Sequence, residues 1–136
     1  MIFKRAKLLL LTTALLFASS CSEQSRLNDR ILSKKLIGTW KKTLKRGHSI
    51  IYVTTRFQSN GIFRTDAKKV YSSSNRQIRL YARGSWRVSN GYLIEHTTDS
   101  NFDHIGSITR DKIIAITNRQ FAYKTRKGKI FTYTKK

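Results

Sequence analysis

The sequence contains no proline, a single cysteine and few acidic residues. Without proline, and with only 7 glycines, the chain has the composition of neither a disordered tail nor a collagen-like repeat. Because Cys21 is the one cysteine, no internal disulfide can stabilise the fold, and the hydrophobic core must suffice. The 7 Asp and Glu residues stand against 28 Lys and Arg residues, which gives a formal net charge of +21. A field of this sign attracts polyanions.

Length and composition predict one strand-rich domain. A chain of 136 residues has room for one domain and a targeting segment, and it can bury only a modest core. β-Branched and aromatic residues are plentiful after position 36. These residue types favour pleated, half-buried strands.

The first twenty residues have the three parts of a signal peptide. A basic start is followed by an apolar run over residues 8–18, and the small residues 18–20 stand directly before Cys21. A membrane-spanning helix needs about 20 consecutive apolar residues, so this run is too short to span. The sequence therefore predicts export. The basic residues of the start are Lys4, Arg5 and Lys7.

The residues Ala18-Ser19-Ser20-Cys21 resemble a bacterial lipobox. This resemblance implies that a diacylglycerol is attached to Cys21 and that the chain is cut before it, although a lone cysteine can also be an inert thiol. Ser22 resembles the residue that sorts lipoproteins to the outer membrane of Gram-negative bacteria. The expected location is therefore the periplasmic face of that membrane, with the lipid as the anchor.

The segment after Cys21 is polar and charged, and it leads to the domain. Leu27, Ile31 and Leu32 are spaced as one helical face, which predicts a short helical turn; a disordered tether is the alternative. The predicted organisation is a signal peptide over residues 1–20, a lipidated cysteine and linker over 21–35, and the domain over 36–136.

From residue 36 onward the hydrophobic pattern has a period of two. Residues 78–88 alternate apolar or small side chains with Arg, Tyr and Ser, as in a half-buried antiparallel strand. Hairpin turns are expected at Asn60-Gly61, Asn90-Gly91 and Lys127-Gly128.

The strand-like runs of this region number eight or nine and have short connections. An all-β, antiparallel up-and-down barrel of about eight strands is therefore expected, because closure removes exposed sheet edges. The runs cover residues 36–44, 49–58, 62–71, 77–88, 92–98, 105–109, 112–117, 120–125 and 129–134.

Three motifs in order carry a resemblance to a known group. They are Leu36-Ile37-Gly38-Thr39-Trp40, then Phe57-Gln58-Ser59-Asn60-Gly61-Ile62-Phe63, then Gly84-Ser85-Trp86-Arg87-Val88. Together they resemble the bacterial lipocalin-like domains, in which a Gly-x-Trp begins the barrel and a second precedes a turn. The resemblance covers most of the domain. It also implies that a late basic residue, Lys135 or Lys136, packs on the first tryptophan.

Four residues of these motifs are expected to be structural. Trp40 is predicted to plug one end of the barrel, where the strand meets the entering helix. Gly38 and Gly84 are predicted to let the backbone bend or approach a neighbour closely. Trp86 belongs to the second Gly-x-Trp.

Aromatic residues near the C-terminus alternate along two neighbouring strands. Phe121, Tyr123, Phe131 and Tyr133 fall on one face. Most such stripes are core packing. A barrel mouth lined by tyrosines is also able to accept an elongated apolar ligand, and an eight-stranded barrel can either hold one small ligand or be filled by its own side chains.

The excess of positive charge suggests partners outside the barrel. Without Lys4, Arg5 and Lys7 the chain keeps 25 basic and 7 acidic residues, and Arg79, Arg83 and Arg87 form one row of the best-defined strand. For an exported chain, anionic lipid or an anionic envelope polymer is a more plausible partner than nucleic acid. A merely solvated surface is the alternative.

The sequence contains no recognisable catalytic motif. No nucleophile elbow, phosphate loop or paired carboxylates occur. His96, Asp99, Asp103 and His104 lie close together in sequence, but a solvated turn is preferred to a metal site. We expect no enzyme activity, no cofactor and no metal. Two function classes stay open: a binding module that holds a lipid or amphiphile, and a filled barrel that acts as an assembly factor, adhesin or inhibitor through its cationic surface.

Overall fold

The computed structural model describes residues 23–136, which form one N-terminal helix and eight β-strands. Helix α1 covers residues 23–36. The strands are β1 (Gly38–Arg46), β2 (Ser49–Phe57), β3 (Ile62–Tyr71), β4 (Gln77–Ser89), β5 (Tyr92–Ser100), β6 (Ile108–Ile116), β7 (Gln120–Lys124) and β8 (Ile130–Lys135).

The strands form a closed, antiparallel up-and-down barrel in which each strand pairs with the next. The sheet closes where Trp40 and Lys41 of β1 pair with Lys135 and Thr134 of β8. The predicted all-β barrel of about eight strands is thereby confirmed. Asn90 and Gly91 have φ values of 52° and 77°, the left-handed conformation that a tight hairpin turn between β4 and β5 requires.

Two boundaries differ from the sequence prediction. The runs over 105–109 and 112–117 are one strand, β6, because the polar residues between them continue the ladder with β5. The single helical turn is a longer helix that includes Leu36, which the period-two pattern assigned to the first strand. Leu36 is fully buried, and a buried leucine fits the hydrophobic pattern of a strand as well as that of a helix.

Helix α1 lies across one end of the barrel, which we call the closed end. The Asp29 carboxylate accepts hydrogen bonds from the backbone N–H groups of Asn90 and Gly91, at 2.8 and 2.9 Å. Leu27 and Ile31 of the predicted apolar face remain 52% and 44% exposed. The helix is therefore held mainly by its contact with the β4–β5 turn and by Leu36.

The core fills the closed end, and Trp40 is its centre. The Trp40 ring is fully buried, donates from Nε1 to the Leu36 carbonyl at 2.7 Å, and meets Phe121 edge-on at a centroid distance of 4.9 Å. The ammonium of Lys135 lies 5.0 Å from the Trp40 ring centroid. Lys135 thus takes the position of the late basic residue on the first tryptophan. The second tryptophan, Trp86, packs on Phe57 and donates to the Gln58 carbonyl at 3.0 Å.

Gly84 lies where two strands approach closely. It follows a register shift between β4 and β5, and a Cβ at this position would overlap the carbonyl oxygen of His96. Gly38 has a φ of +136°, and a Cβ there would lie 3.0 Å from Cε of Lys135. Both glycines therefore permit a geometry that a larger residue would strain.

Residues 23–136 hold every strand of the closed barrel, including the β1–β8 closing pair, and the core at its closed end. We therefore expect this part of the chain to fold by itself. Within the same part, no helix is long and apolar enough to cross a bilayer.

Candidate ligand-binding cavity

The half of the barrel away from helix α1 encloses a cavity of about 440 Å³. This end, which we call the mouth, carries the β1–β2, β3–β4, β5–β6 and β7–β8 connections. The barrel is therefore packed at one end and hollow at the other. The volume of the cavity lies within the range of about 300–1,000 Å³ that is typical of small-molecule sites.

The cavity has an apolar wall and a polar wall, built by different strands. The alternation of β1 to β4 directs aliphatic side chains inward, and these form the apolar wall: Leu44, Ile51, Val53, Ala67, Leu80 and Ala82. The polar wall comes mainly from β5 to β8, together with one lysine of β1: Lys42, Glu95, Thr97, Thr109, Asp111, Tyr123 and Tyr133. Arg46 of β1 and Thr65 and Lys69 of β3 also line the cavity, so a ligand in this space meets mainly hydrocarbon on one side and hydrogen-bonding groups on the other.

Lys42 organises the polar wall. It follows Trp40 at the next inward position of β1, and its Nζ donates to the Tyr123 hydroxyl at 2.8 Å. The same ammonium lies 4.5 Å from the ring centroid of Tyr133 and 4.6 Å from that of Phe131. Aromatic faces attract a cation, and the attraction grows when water is excluded. Lys42 is thus held inside the barrel by three rings from β7 and β8.

Burial lowers the pKa of Lys42 to about 8, although the nearby charges of Glu95 and Asp111 act in the opposite direction. The desolvation of the ammonium outweighs the attraction of the two carboxylates. Lys42 therefore stays mostly protonated at neutral pH, but it loses its proton more readily than a surface lysine.

The carboxyl group of Glu95 has a raised pKa, for the same physical reason. Burial is the main cause, the neighbouring charge of Asp111 adds to it, and together they raise the pKa of Glu95 to about 7. Burial also raises the pKa of Asp111. Because Glu95 gains and loses its proton near neutral pH, the net charge inside the cavity changes in that range.

The two tyrosines of the polar wall remain protonated. Burial raises the pKa of both the Tyr123 and the Tyr133 hydroxyl, because a phenolate would be poorly solvated here. Their rings stack at a centroid distance of 5.9 Å. Each hydroxyl can therefore both donate and accept a hydrogen bond to a bound molecule.

The four aromatic residues that the sequence analysis grouped together divide into two sets. Tyr123 and Tyr133 line the cavity. Phe121 is only 1% exposed and packs on Trp40 in the closed end, so it is core. Phe131 is partly buried, lies over Lys42, and lines an opening in the barrel wall.

The predicted arginine row lies on the outside of the barrel. Arg79, Arg83 and Arg87 alternate with inward residues of β4 and are exposed. The Arg83 guanidinium lies 5.7 Å from the Tyr81 ring centroid, and Arg83 stands opposite Arg64 of β3. The row is separated from the cavity by the sheet itself.

The histidines and aspartates near residue 100 do not come together as one site. Asp103 instead accepts hydrogen bonds from the His104 backbone N–H at 2.8 Å and from Ser107 Oγ at 3.2 Å, which fixes the β5–β6 connection. Within residues 23–136, no three His, Cys, Asp or Glu side chains are grouped as a metal site would require.

Sequence reasoning missed the charged residues of the polar wall. Lys42, Glu95 and Asp111 occupy inward positions in strands whose other inward positions include Trp40, Leu93 and Ile113. The signal was present, since a charged residue at an inward position breaks the period-two pattern. Three of the seven acidic residues of this basic chain line the cavity: Glu95, Asp103 and Asp111.

Comparison with known proteins does not identify a family. No protein-family model matches the chain, and no curated protein is significantly similar to it. What the structure establishes is the architecture, an eight-stranded antiparallel up-and-down barrel with one N-terminal helix in the part it describes.

Proposed function

We propose that this protein is a non-catalytic binding module that holds one small amphiphile inside its barrel. The observation that carries the proposal is the cavity of about 440 Å³ with one apolar and one polar wall. The apolar part of the ligand would lie against β1 to β4, and its polar head would contact Lys42 and the two tyrosines. A lipid fragment or another envelope amphiphile has this chemistry.

The polar wall suits a head group that both donates and accepts hydrogen bonds. The Lys42 ammonium donates, the tyrosine hydroxyls do either, and ionised Glu95 accepts. Groups of this kind in a water-poor site discriminate strongly between ligands, because an unpaired buried polar group costs free energy. The polar wall would set the orientation of the bound ligand, and the apolar wall would contribute most of the binding affinity.

The second function class, a filled barrel that acts only through its surface, is less well supported. A barrel whose own side chains fill it has no room for a ligand, whereas this one is hollow at the mouth. The cationic exterior still favours an anionic envelope component as a second contact. Nucleic acid is not proposed as a partner, since the sequence predicts export.

We also propose that the protein is a lipoprotein of the cell envelope. The signal-peptide pattern over residues 1–20 and the lipobox-like residues before Cys21 support this address, as does Ser22 for the outer membrane. All of these residues lie outside the described part of the chain. The proposal therefore depends on the sequence motif alone.

Native mass spectrometry tests the binding proposal. The domain, residues 22–136, is purified from a bacterial envelope without exchange into detergent. Its mass is measured at low and at high salt, and any bound lipid is extracted and analysed. We expect a bound amphiphile at one copy per barrel that survives high salt. A barrel that is empty under all of these conditions would contradict the proposal and favour the surface-acting class.

A further inference from the structure

The wall of the barrel has an opening beside the β7–β8 hairpin. Residues 108–111 of β6 pair with β5 but not with β7, because the β6–β7 ladder begins at Lys112 and Lys124. β8 likewise pairs with β1 only at Trp40 and Lys41. The hairpin is thus shorter than the strands that flank it, and a gap of about 520 Å³ lies there. We call this gap the side opening.

The side opening adjoins the cavity. Arg46, Thr109, Asp111 and Tyr123 line both. Tyr123 also accepts the hydrogen bond from the Lys42 ammonium, so the opening borders the polar wall. The side opening therefore lies next to the proposed contacts of a ligand head group.

The rim of the side opening is strongly basic. Arg46, Arg110, Arg126, Lys127 and Lys129 line it, and Asp111 is the one acidic residue among its lining residues. The Arg110 guanidinium lies over the Tyr92 ring, with Cζ 4.4 Å from the ring centroid, on the outer face of β6.

Large apolar side chains are exposed at the same place. Ile108 lines the side opening and is 68% exposed, and Ile130 at the start of β8 is 58% exposed. Ile105, in the adjoining β5–β6 connection, is 69% exposed. Basic residues around exposed apolar side chains are the composition of a surface that adsorbs to an anionic bilayer.

We propose that the rim of the side opening docks on an anionic phospholipid bilayer, with the isoleucines in the interface and the basic residues on lipid phosphates. The inference rests on the proposed function in one respect, because docking would serve to let an amphiphile pass between the bilayer and the cavity. The opening is at the end of the barrel away from helix α1.

Vesicle flotation of the domain, residues 22–136, tests the electrostatic part. The vesicles contain phosphatidylcholine with phosphatidylglycerol, or phosphatidylcholine alone. The variant carries Arg126→Glu, Lys127→Glu and Lys129→Glu, and the matched control carries Arg79→Glu, Arg83→Glu and Arg87→Glu on the outer face of β4. We expect the first variant to lose about tenfold or more in affinity for anionic vesicles, and the control to lose much less.

Flotation also tests the apolar part with a matched pair. Ile108→Ser removes an exposed isoleucine at the opening, and Ile62→Ser removes one that is 46% exposed on β3. Only Ile108→Ser should weaken vesicle binding. All eight residues changed in these variants and controls are exposed, and circular dichroism verifies that each variant is folded.

Three outcomes would overturn the docking proposal. In the first, the wild-type domain would fail to float with anionic vesicles. In the second, the two charge variants would lose affinity equally. In the third, the domain would bind soluble polyphosphate but no vesicles, so that its basic rim would be a site for a soluble polyanion. A cavity-blocked variant, Ala67→Phe, separates this proposal from the proposed function. It should float like the wild type even though it no longer takes up an amphiphile.

Discussion

The ammonium of Lys42 donates a 2.8 Å hydrogen bond to the hydroxyl of Tyr123 across the inside of the barrel. The two residues are 81 positions apart in sequence, and β8 lies between their strands in the sheet. Their contact therefore passes over the inner face of β8, next to the aromatic core. It marks the boundary between the packed closed end and the hollow mouth, and it places a cation where a ligand head group would bind.

The raised pKa of Glu95 predicts a pH-dependent stability. The pKa is about 4.5 in the unfolded chain and about 7 in the folded one, so the folded state binds the proton more tightly. The stabilising contribution is full below pH 4.5 and is lost as the pH rises through 7. Glu95→Gln should therefore gain stability relative to the wild type across this interval, by about 4 °C or more in melting temperature at pH 8.

Thermal melting of both proteins between pH 4 and pH 8 measures this difference. Asp99→Asn, which removes an exposed carboxylate from the outer face of β5, is the matched control for the loss of one acidic group. A constant offset between Glu95→Gln and wild type at every pH would show that Glu95 does not titrate in this range.

Removal of the Trp40 side chain should strongly destabilise the closed end. Trp40 is fully buried, and its Nε1 hydrogen bond to the Leu36 carbonyl joins helix α1 to the barrel. Trp40→Ala should cost roughly 3–5 kcal/mol of unfolding free energy, as large-to-small core substitutions do. Urea unfolding provides the value. Lys135→Met, which removes only the cation above the ring, should cost about 1 kcal/mol or less, and equal losses in the two variants would contradict this assignment.

Gly84 should tolerate no side chain. Because a Cβ there would overlap the His96 carbonyl oxygen, Gly84→Ala must push β4 and β5 apart, at a cost of about 1–3 kcal/mol or more. Gly47→Asn, in a turn where a Cβ meets open space, is the control. Asparagine tolerates the left-handed conformation of that turn, so its effect should be small. Urea unfolding compares the two, and an unchanged midpoint for Gly84→Ala would refute the close approach.

Cys21→Ser should release the protein from the lipoprotein pathway. Without a thiol no thioether lipid can form, so in a bacterial host we expect an unprocessed precursor and no incorporation of labelled palmitate. Fractionation with and without detergent, together with labelling, provides the measurement. Labelling of the variant at the wild-type level would remove the basis for the proposed anchor.

The sequence predicts the fold well because period two is a strong local signal. Strand β4 is the clearest case, because its apolar or small residues face inward and its Arg, Tyr and Ser residues face outward, and Asn-Gly turns follow β2 and β4. Helix α1 was underestimated because its contact with the barrel comes from Asp29 and Leu36 rather than from a long apolar face. A local sequence pattern cannot show that the Asp29 carboxylate will bind the N–H groups of a turn some sixty residues away.

The cavity was predictable only in part. Tyr123 and Tyr133 follow from the aromatic alternation, but the separation of Phe121 from them does not, since it depends on how far Trp40 fills the lumen. The side opening also needed the structure, because it results from the unequal lengths of β6 and the β7–β8 hairpin.

Uptake of a fluorescent fatty-acyl amphiphile by residues 22–136 tests the central claim, ligand binding inside the barrel, most directly. Ala67→Phe places a ring in the cavity, whereas Lys68→Phe places the same ring one residue later on the outer face of β3. We predict saturable uptake at one molecule per barrel by the wild type and Lys68→Phe, and a loss of about tenfold or more in affinity for Ala67→Phe. Equal uptake by the two variants would place the amphiphile outside the barrel and contradict the account.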